Sequence, residues 1–275
     1  MTIAERVQQY ILESRRQTRT ATLVGPFTVL LHPTDGAIES NVAIPHTPPS
    51  EAPEPTWHAA LRAAFASQGR IPAIQWIAGF APRLATTLQA MGFSEHQRET
   101  LLVCTPETRP GIPVPAPGLT FVTITDASPL DEVRENLDVN EFGFDPATAQ
   151  SATDEQAAQF RATLRAARAC TARLHEHPAG AGMYTAPMAG VVELAGIATL
   201  EQYRGRGIAA ALTAHLASVA FAQGCDLAFL WTANPAARRA YEHAGFQPVG
   251  DVLTYVTPPA SPLRRDAVDG ASGDG

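Results

Sequence analysis

Val191-Val192-Glu193-Leu194-Ala195-Gly196-Ile197-Ala198-Thr199-Leu200-Glu201-Gln202-Tyr203-Arg204-Gly205-Arg206-Gly207-Ile208-Ala209-Ala210-Ala211 decides the fold. Val191 to Leu200 is long and mostly apolar and reads as a strand. A short polar turn follows. Arg204-Gly205-Arg206-Gly207 then opens a helix in which Ile208, Leu212, Leu216 and Val219 recur at helical spacing, and Gly224 fits the stop. Glycines at such a turn let backbone N–H groups close on anion oxygens, and the helix N-terminus adds its partial positive charge. Arg204 and Arg206 supply further cationic partners. The pattern is that of an anion site, of the kind that takes a pyrophosphate.

Gly205, Gly207 and Ala210 also satisfy a loose dinucleotide pattern, G-x-G-x-x-A. Several elements precede this strand, whereas a dinucleotide unit starts with it. Four polar residues separate strand from glycine, and Asp226 precedes the next strand instead of ending it. The dinucleotide reading therefore stays a minor alternative.

Outward from this stretch, Leu119 to Thr125 reads as a short strand and Ser151 to Ala169 as a helix. Cys170 to Leu174 and Ala181 to Tyr184 suggest a hairpin around His177-Pro178-Ala179-Gly180. Leu227 to Trp231 is a buried strand. Asn234-Pro235 caps a helix that Gly245 closes, and Val249 to Val256 is a last strand. Strand and helix in alternation imply an α/β fold, a sheet with helices on its faces. Upstream, Phe27 to Leu31 and Asn41 to Ile44 are candidate strands, and Pro45 to Pro55 is a proline-rich loop. Leu88-Gln89-Ala90-Met91-Gly92-Phe93 before the run Leu101 to Cys104 echoes Tyr241-Glu242-His243-Ala244-Gly245-Phe246 before the last strand. These signals divide the chain into residues 1–110, a proline-rich linker at 111–118, a second domain at 119–257, and a tail at 258–275 expected to be disordered.

Two motifs then coincide. Gln202, Gly205 and Gly207 fit Arg/Gln-x-x-Gly-x-Gly/Ala. Asn234, Ala237, Tyr241, Gly245 and Phe246 fit Asn-x-x-Ala-x-x-x-Tyr-x-x-x-Gly-Phe, one helix and one strand later. Residues 119–257 thereby resemble the GNAT superfamily of N-acetyltransferases. More loosely, the whole chain looks like a tandem arrangement with a degenerate first copy. The resemblance implies an acyl-CoA N-acyltransferase-like fold, a mixed sheet in two tandem copies with splayed central strands. Acetyl-CoA as cosubstrate would pair its pantetheine arm with the edge at Ile197, Ala198 and Thr199. The backbone of Arg204, Gly205, Arg206, Gly207 and Ile208 would hold the pyrophosphate, and Asn234 and Ala237 would border the arm. Glu201 departs from the proline of many relatives and sets a negative charge nearby.

The implied chemistry is attack of a neutral primary amine on the thioester. The resemblance makes Tyr241 the proton donor to the leaving thiolate and Glu193, six residues before Thr199, a candidate base. An amine with pKa near 10.4 is neutral in about one part in 10³ at pH 7, a deficit of roughly 4–5 kcal/mol that a base or desolvation offsets. As one strand position, Glu193 also reads as an ordinary polar residue. The alternative function is a non-catalytic acyl-CoA binding or sensing module.

Other features carry less. His175-Glu176-His177 is read as a solvated turn, and no metal is expected. Asp138, Asn140, Glu141 and Asp145 are candidates for meeting a cationic acceptor, or plain surface polars. Trp57, Trp76 and Phe80 are read as core of the first half. The net charge of −7 argues against a nucleic-acid partner. No apolar run spans a bilayer, and the start lacks the apolar centre of a signal peptide, so no membrane partner is expected. Cys104, Cys170 and Cys225 stand far apart, which suits a reducing, cytoplasmic compartment. Every basic residue is arginine, so the amine acceptor, a small molecule or peptide, is not an internal lysine of this chain.

Overall fold

The structure, a computed structural model, describes residues 1–49, 55–108 and 117–258. The tail from 259, most of the expected linker and residues 50–54 of the proline-rich loop lie outside the described residues. The first half runs α1 (Ile3–Arg16), β1 (Thr20–Val24), β2 (Phe27–Leu31), β3 (Val42–Pro45), α2 (Pro55–Ala66), β4 (Ala73–Ile77), α3 (Leu84–Ala90) and β5 (Ser94–Cys104). The second runs β6 (Leu119–Ile124), α4 (Leu130–Phe144), α5 (Asp154–Thr163), β7 (Arg168–Leu174), β8 (His177–Tyr184), β9 (Val191–Thr199), α6 (Ile208–Ala222), β10 (Leu227–Thr232), α7 (Pro235–His243) and β11 (Gln247–Val256).

Among the described residues the strands join one mixed sheet, ordered β1-β2-β3-β4-β11-β5-β10-β9-β8-β7-β6. The sheet is continuous across the boundary expected at 111–118. β5, from the first half, lies antiparallel between β10 (Cys104↔Ala228 to Thr100↔Thr232) and β11. β11, from the second half, lies antiparallel between β5 and β4 (Val252↔Ile77 to Val256↔Ala73). Each half therefore ends its own sheet with the other's last strand.

The helix-Gly-Phe echo is a matching structure. Phe93 N–H donates to Leu88 O at 2.9 Å and Phe246 N–H to Tyr241 O at 3.0 Å. Both phenylalanines are buried, in the clusters under α3 and α7. Trp57 and Trp76 are buried in the first-half cluster, with Phe80 packed against it.

α1 forms from a stripe the scattered charge conceals. Val7, Tyr10 and Ile11 are buried at i, i+3 and i+4, and Thr2 and Glu5 close a capping box at its start. Burying each such side chain contributes roughly 1.5–3 kcal/mol. The helix covers residues of β2, β3, β4, β5, β9, β10 and β11, so it packs across both halves.

Some expectations shift. The helix expected over 151–169 closes at Thr163, because Arg168–Leu174 is drawn into pairing with β6 and β8. The hairpin turns at His175 (φ 49°) and Glu176 (φ 70°), two residues earlier than expected, and Pro178 to Gly180 stand in β8. α4 carries a buried row of Val133, Asn136 and Val139 that its charge hides. No helix among the described residues is long and apolar enough to cross a membrane.

Candidate active site

β9 and β10 run parallel through Leu227↔Val191, Ala228↔Val192 and Phe229↔Glu193, and then part. β9 continues to Thr199 with no strand on that side among the described residues, so the backbone edge of its second half faces a gap. A bulge at Gly196 (φ 63°) bends this free stretch, and Asn140 of α4 donates its amide N–H to the Gly196 carbonyl. The gap is a cleft of about 980 Å³, lined among others by Glu193, Ile197, Ala198, Thr199, Asn234, Ala237 and Tyr241.

At one end the cleft meets the start of α6. Gly205 and Gly207 both hold φ 75°, a conformation that side chains disfavour, and space around them is open. Gly207 is the N-cap of α6 and gives no side-chain cap, so the first N–H groups of the helix keep their donors for a ligand. Gly205, Gly207, Ile208 and the Arg204 chain line this end. The arginine side chains do other work. Arg204 donates Nη2–H to Gly143 O (2.8 Å) and Nε–H to Thr199 O (3.3 Å), tying the loop to α4 and β9. Arg206 lies 5.6 Å over the Tyr203 ring and donates to Gln202 O. Gln202 borders a separate depression with Asp138, Phe142 and Glu201. The side chains of Gln202 and Arg206 thus stand apart from the cleft that the other sequence-derived residues share.

Asn234 caps α7, its Oδ1 accepting from Ala236 N–H (2.8 Å) and Ala237 N–H (3.4 Å), which leaves its Nδ2 donor for a ligand. Tyr241, in the last turn of α7, is buried against the cleft, and burial pushes its phenol above the usual range.

Simple alternation would put Glu193 and Thr199 on one face of β9, but the bulge at Gly196 separates them. Thr199 lies toward Ile208 of α6 and Glu193 toward Tyr10 and Arg15 of α1. Burial raises the Glu193 carboxyl to about 7, against a smaller opposing pull from Arg15. Glu99 on β5 shares the cleft and is also pushed up by burial. Trp231 adds an apolar wall, stacked on Phe229 at 5.7 Å.

Glu99, Trp231, Tyr10 and Arg15 were not assigned to the site from sequence. Glu99 and Arg15 come from the first half, and only the strand exchange and the α1 packing bring them here. Three of the four candidate acceptor polars, Asp138, Asn140 and Asp145, have structural partners. Asp138 accepts from Ala152 N–H (2.6 Å), and Asp145 accepts from Ala147 N–H (3.1 Å) and the Thr148 hydroxyl (2.6 Å). Glu141 is exposed on α4. No group of residues able to hold a metal ion occurs among the described residues.

Residues 132–246 match the acetyltransferase (GNAT) family. Over nearly its full length the chain is similar to the solved structure of a GCN5-related N-acetyltransferase from Kribbella flavida, at 26% identity and a TM-score of 0.76, covering 94% of this chain and 97% of that one. A GCN5-related N-acetyltransferase from Sphaerobacter thermophilus shares the fold at 15% identity and TM-score 0.57, covering 94% and 91%. So does a tandem GNAT protein from the clavulanic acid biosynthesis pathway, at 18% identity and TM-score 0.60, covering 86% and 79%. No curated protein matches the chain. The mixed sheet with its parted strands is thus the acyl-CoA N-acyltransferase-like fold, and residues 132–246 form a domain of the GNAT acetyltransferase family.

Proposed function

We propose that the protein transfers the acetyl group of acetyl-CoA to a primary amine of a small molecule or peptide, by direct attack in the cleft between β9 and β10. The observation that carries this reading is a single gap with an uncapped helix start at one end and Glu193 and Tyr241 along its walls. Its residues fit the cosubstrate. The open glycines and N–H groups of Gly205 to Ile208 suit a pyrophosphate, and the free edge of β9 suits an amide-bearing arm. When bound, acetyl-CoA supplies an activated acyl carbon.

The chain's own groups do the rest. Glu193, held near neutrality, takes the proton of the incoming ammonium, directly or through one water. A β9 N–H donates to the oxygen that gains charge. Tyr241, whose hydroxyl has no protein hydrogen bond among the described residues, gives its proton to the departing sulfur. The new C–N bond replaces the C–S bond, the second proton lost by the nitrogen restores the Tyr241 phenol, and Glu193 returns its proton to water; the products are an acetamide and the free thiol.

In this reading residues 119–257 carry the chemistry and residues 1–110 do not bind the cosubstrate. β3 and β4 also run parallel, through Ala43↔Ile74, but the side chain of Gln8 fills the space beyond. Its Nε2 donates to Pro45 O at 3.0 Å, and its Oε1 accepts from Ile77 N–H at 2.8 Å. The edge groups an acyl-CoA arm would use there are taken, and Leu88 stands where the second half has Tyr241. The three buried cysteines suit a reducing compartment, and the cytoplasm is the proposed one. The test is a panel of amines with acetyl-CoA, followed by release of free thiol. Turnover on at least one amine is expected. Tight acetyl-CoA binding with no turnover on any amine would favour a binding or sensing module instead.

A further inference from the structure

α1 belongs to the first half, yet it is fastened to the strands of the proposed site. Arg6 pairs with Asp226, just before β10, at 2.6 Å. The Tyr10 hydroxyl donates to Ala186 O at 2.8 Å and meets Thr185 Oγ1. Thr185 in turn brackets Glu193: its N–H donates to Glu193 O at 2.9 Å, and its Oγ1 accepts from Glu193 N–H at 3.3 Å. The ring of Tyr10 packs edge-on against Phe229, the β10 residue in register with Glu193.

Val7, Ile11 and Arg15 follow one another at i, i+4 and i+8 along the buried face of this helix. The first two are core residues, and the third is an arginine. Its Nη1 is buried with no hydrogen-bond partner. The carboxylates that act on it are Glu193 and Glu99, both of which line the cleft, and neither closes to an ion pair with it. A buried guanidinium without a closed pair lowers stability, and an apolar residue there would pack at less cost. Sites that hold such a group against the stability gradient are commonly functional.

We propose that Arg15 is a positioning residue of the acetyl-transfer site, its guanidinium keeping the Glu193 carboxylate ionised and ready to accept the amine's proton. The inference rests on the reading of Glu193 as base. The groups facing Glu193 are few. From α1 come Arg15 and the Tyr10 phenol, which burial pushes up to about 12 and keeps neutral. From β5 comes Glu99, across the cleft. Phe229 and Trp231 of β10 bring no charge. Arg19, beyond the end of α1, acts on Arg15 and not on Glu193. Arg15 is thus the cation that opposes the effect of burial on Glu193, and it comes from a half with no cofactor loop.

The test measures kcat/KM against pH for an accepted amine, on the full chain, for wild type, Arg15→Met, Arg15→Lys, Glu193→Gln and the Arg15→Met/Glu193→Gln pair, with acetyl-CoA affinity measured alongside. Methionine preserves the length of the side chain and spares the fold a buried charge. Arg15→Met should move the acid limb up by about one pH unit, so that kcat/KM falls roughly tenfold at pH 6.5 and recovers by pH 9. Acetyl-CoA affinity should hold, Arg15→Lys should restore the limb, and the double variant should match Glu193→Gln. A limb that stays in place in Arg15→Met, or a loss equal at every pH, overturns the inference. If Glu193→Gln itself keeps the wild-type limb, it is the reading of Glu193 as base that fails. Should Arg15→Met not fold, the lysine variant decides: a retained limb with retained affinity supports a role for charge, and a displaced limb refutes it.

Discussion

Replacing Glu193 by glutamine should stabilise the protein relative to wild type as pH rises above about 4.5, with the full gain reached above neutral pH. The Glu193 carboxyl is raised from an ordinary 4.5 to about 7 in the folded chain. The folded state therefore holds this proton more tightly than the unfolded state does. Below about pH 4.5 the group is protonated in both states and has no effect on stability. Between 4.5 and 7 the unfolded chain ionises it freely while the folded chain resists, so stability falls as pH rises. Above 7 the full difference applies, and a shift from 4.5 to about 7 corresponds to roughly 3 kcal/mol. Arg15, lowered by burial to about 10, stays charged throughout this range, so losing its neighbour adds a constant and leaves the slope unchanged. Urea denaturation of wild type and Glu193→Gln at pH 5 and pH 8.5 measures the effect. The variant should gain up to about 3 kcal/mol relative to wild type between the two pH values. A stability difference independent of pH would mean that the carboxyl titrates in its ordinary range, and the case for a neutral-range base would fall with it.

Tyr241→Phe keeps the ring in its buried seat and removes the proton donor. It should lower kcat by about 10²–10⁴-fold with acetyl-CoA affinity unchanged, and the loss should shrink for a donor whose thiol is more acidic. Tyr241→Phe with wild-type kcat would assign the proton to water. Acetyl-CoA should raise the melting temperature, and Gly205→Glu should abolish that rise, since it sets an anion on a backbone held at φ 75°. A rise that persists in Gly205→Glu would place the site elsewhere. Titration should give one acetyl-CoA per chain, and two would show that Gln8 does not close the first half. Gln8→Ala leaves Pro45 O and Ile77 N–H without partners, two buried groups at about 1–3 kcal/mol each. Chemical denaturation should report a loss of about 2–6 kcal/mol, and a loss under 1 kcal/mol would mean that water replaces the amide.

The second half was readable in sequence because its signals are local. The run Val191 to Leu200, the Gly205 and Gly207 turn, and the Asn234-Pro235 cap each lie within one element and its flank. α1 and α4 went unread for a shared reason. Their apolar stripes are interrupted by charge, and in α1 two polar members of the buried face, Gln8 and Arg15, act on groups that lie in other segments. The faces of β9 are not legible in sequence, because the bulge at Gly196 depends on Asn140 and on the register with β8, which no single window contains. Glu99 sits in a polar stretch, Ser94 to Thr100, that looks like a loop until β11 pairs along it. The end of the cleft at Gly205 and Gly207 is thus local in sequence, and the end at Glu193 and Glu99 is assembled from distant pieces.

The exchange of last strands also has a consequence for synthesis. β5 leaves the ribosome ending in Leu101-Leu102-Val103-Cys104, all four buried in the finished protein, long before either of its neighbours has been made. Until β10 and β11 arrive, that apolar edge has nothing to pair with, and such edges invite association between chains. Neither half can complete its sheet during translation, so the slow step of folding should wait for the last strand. A chain stopped before β11 would strand both halves at once, and a gene trimmed to residues 119–257 would lose the strand that closes its own active-site sheet. A half that lacks the cofactor loop cannot be shed once its neighbour's architecture ends on it.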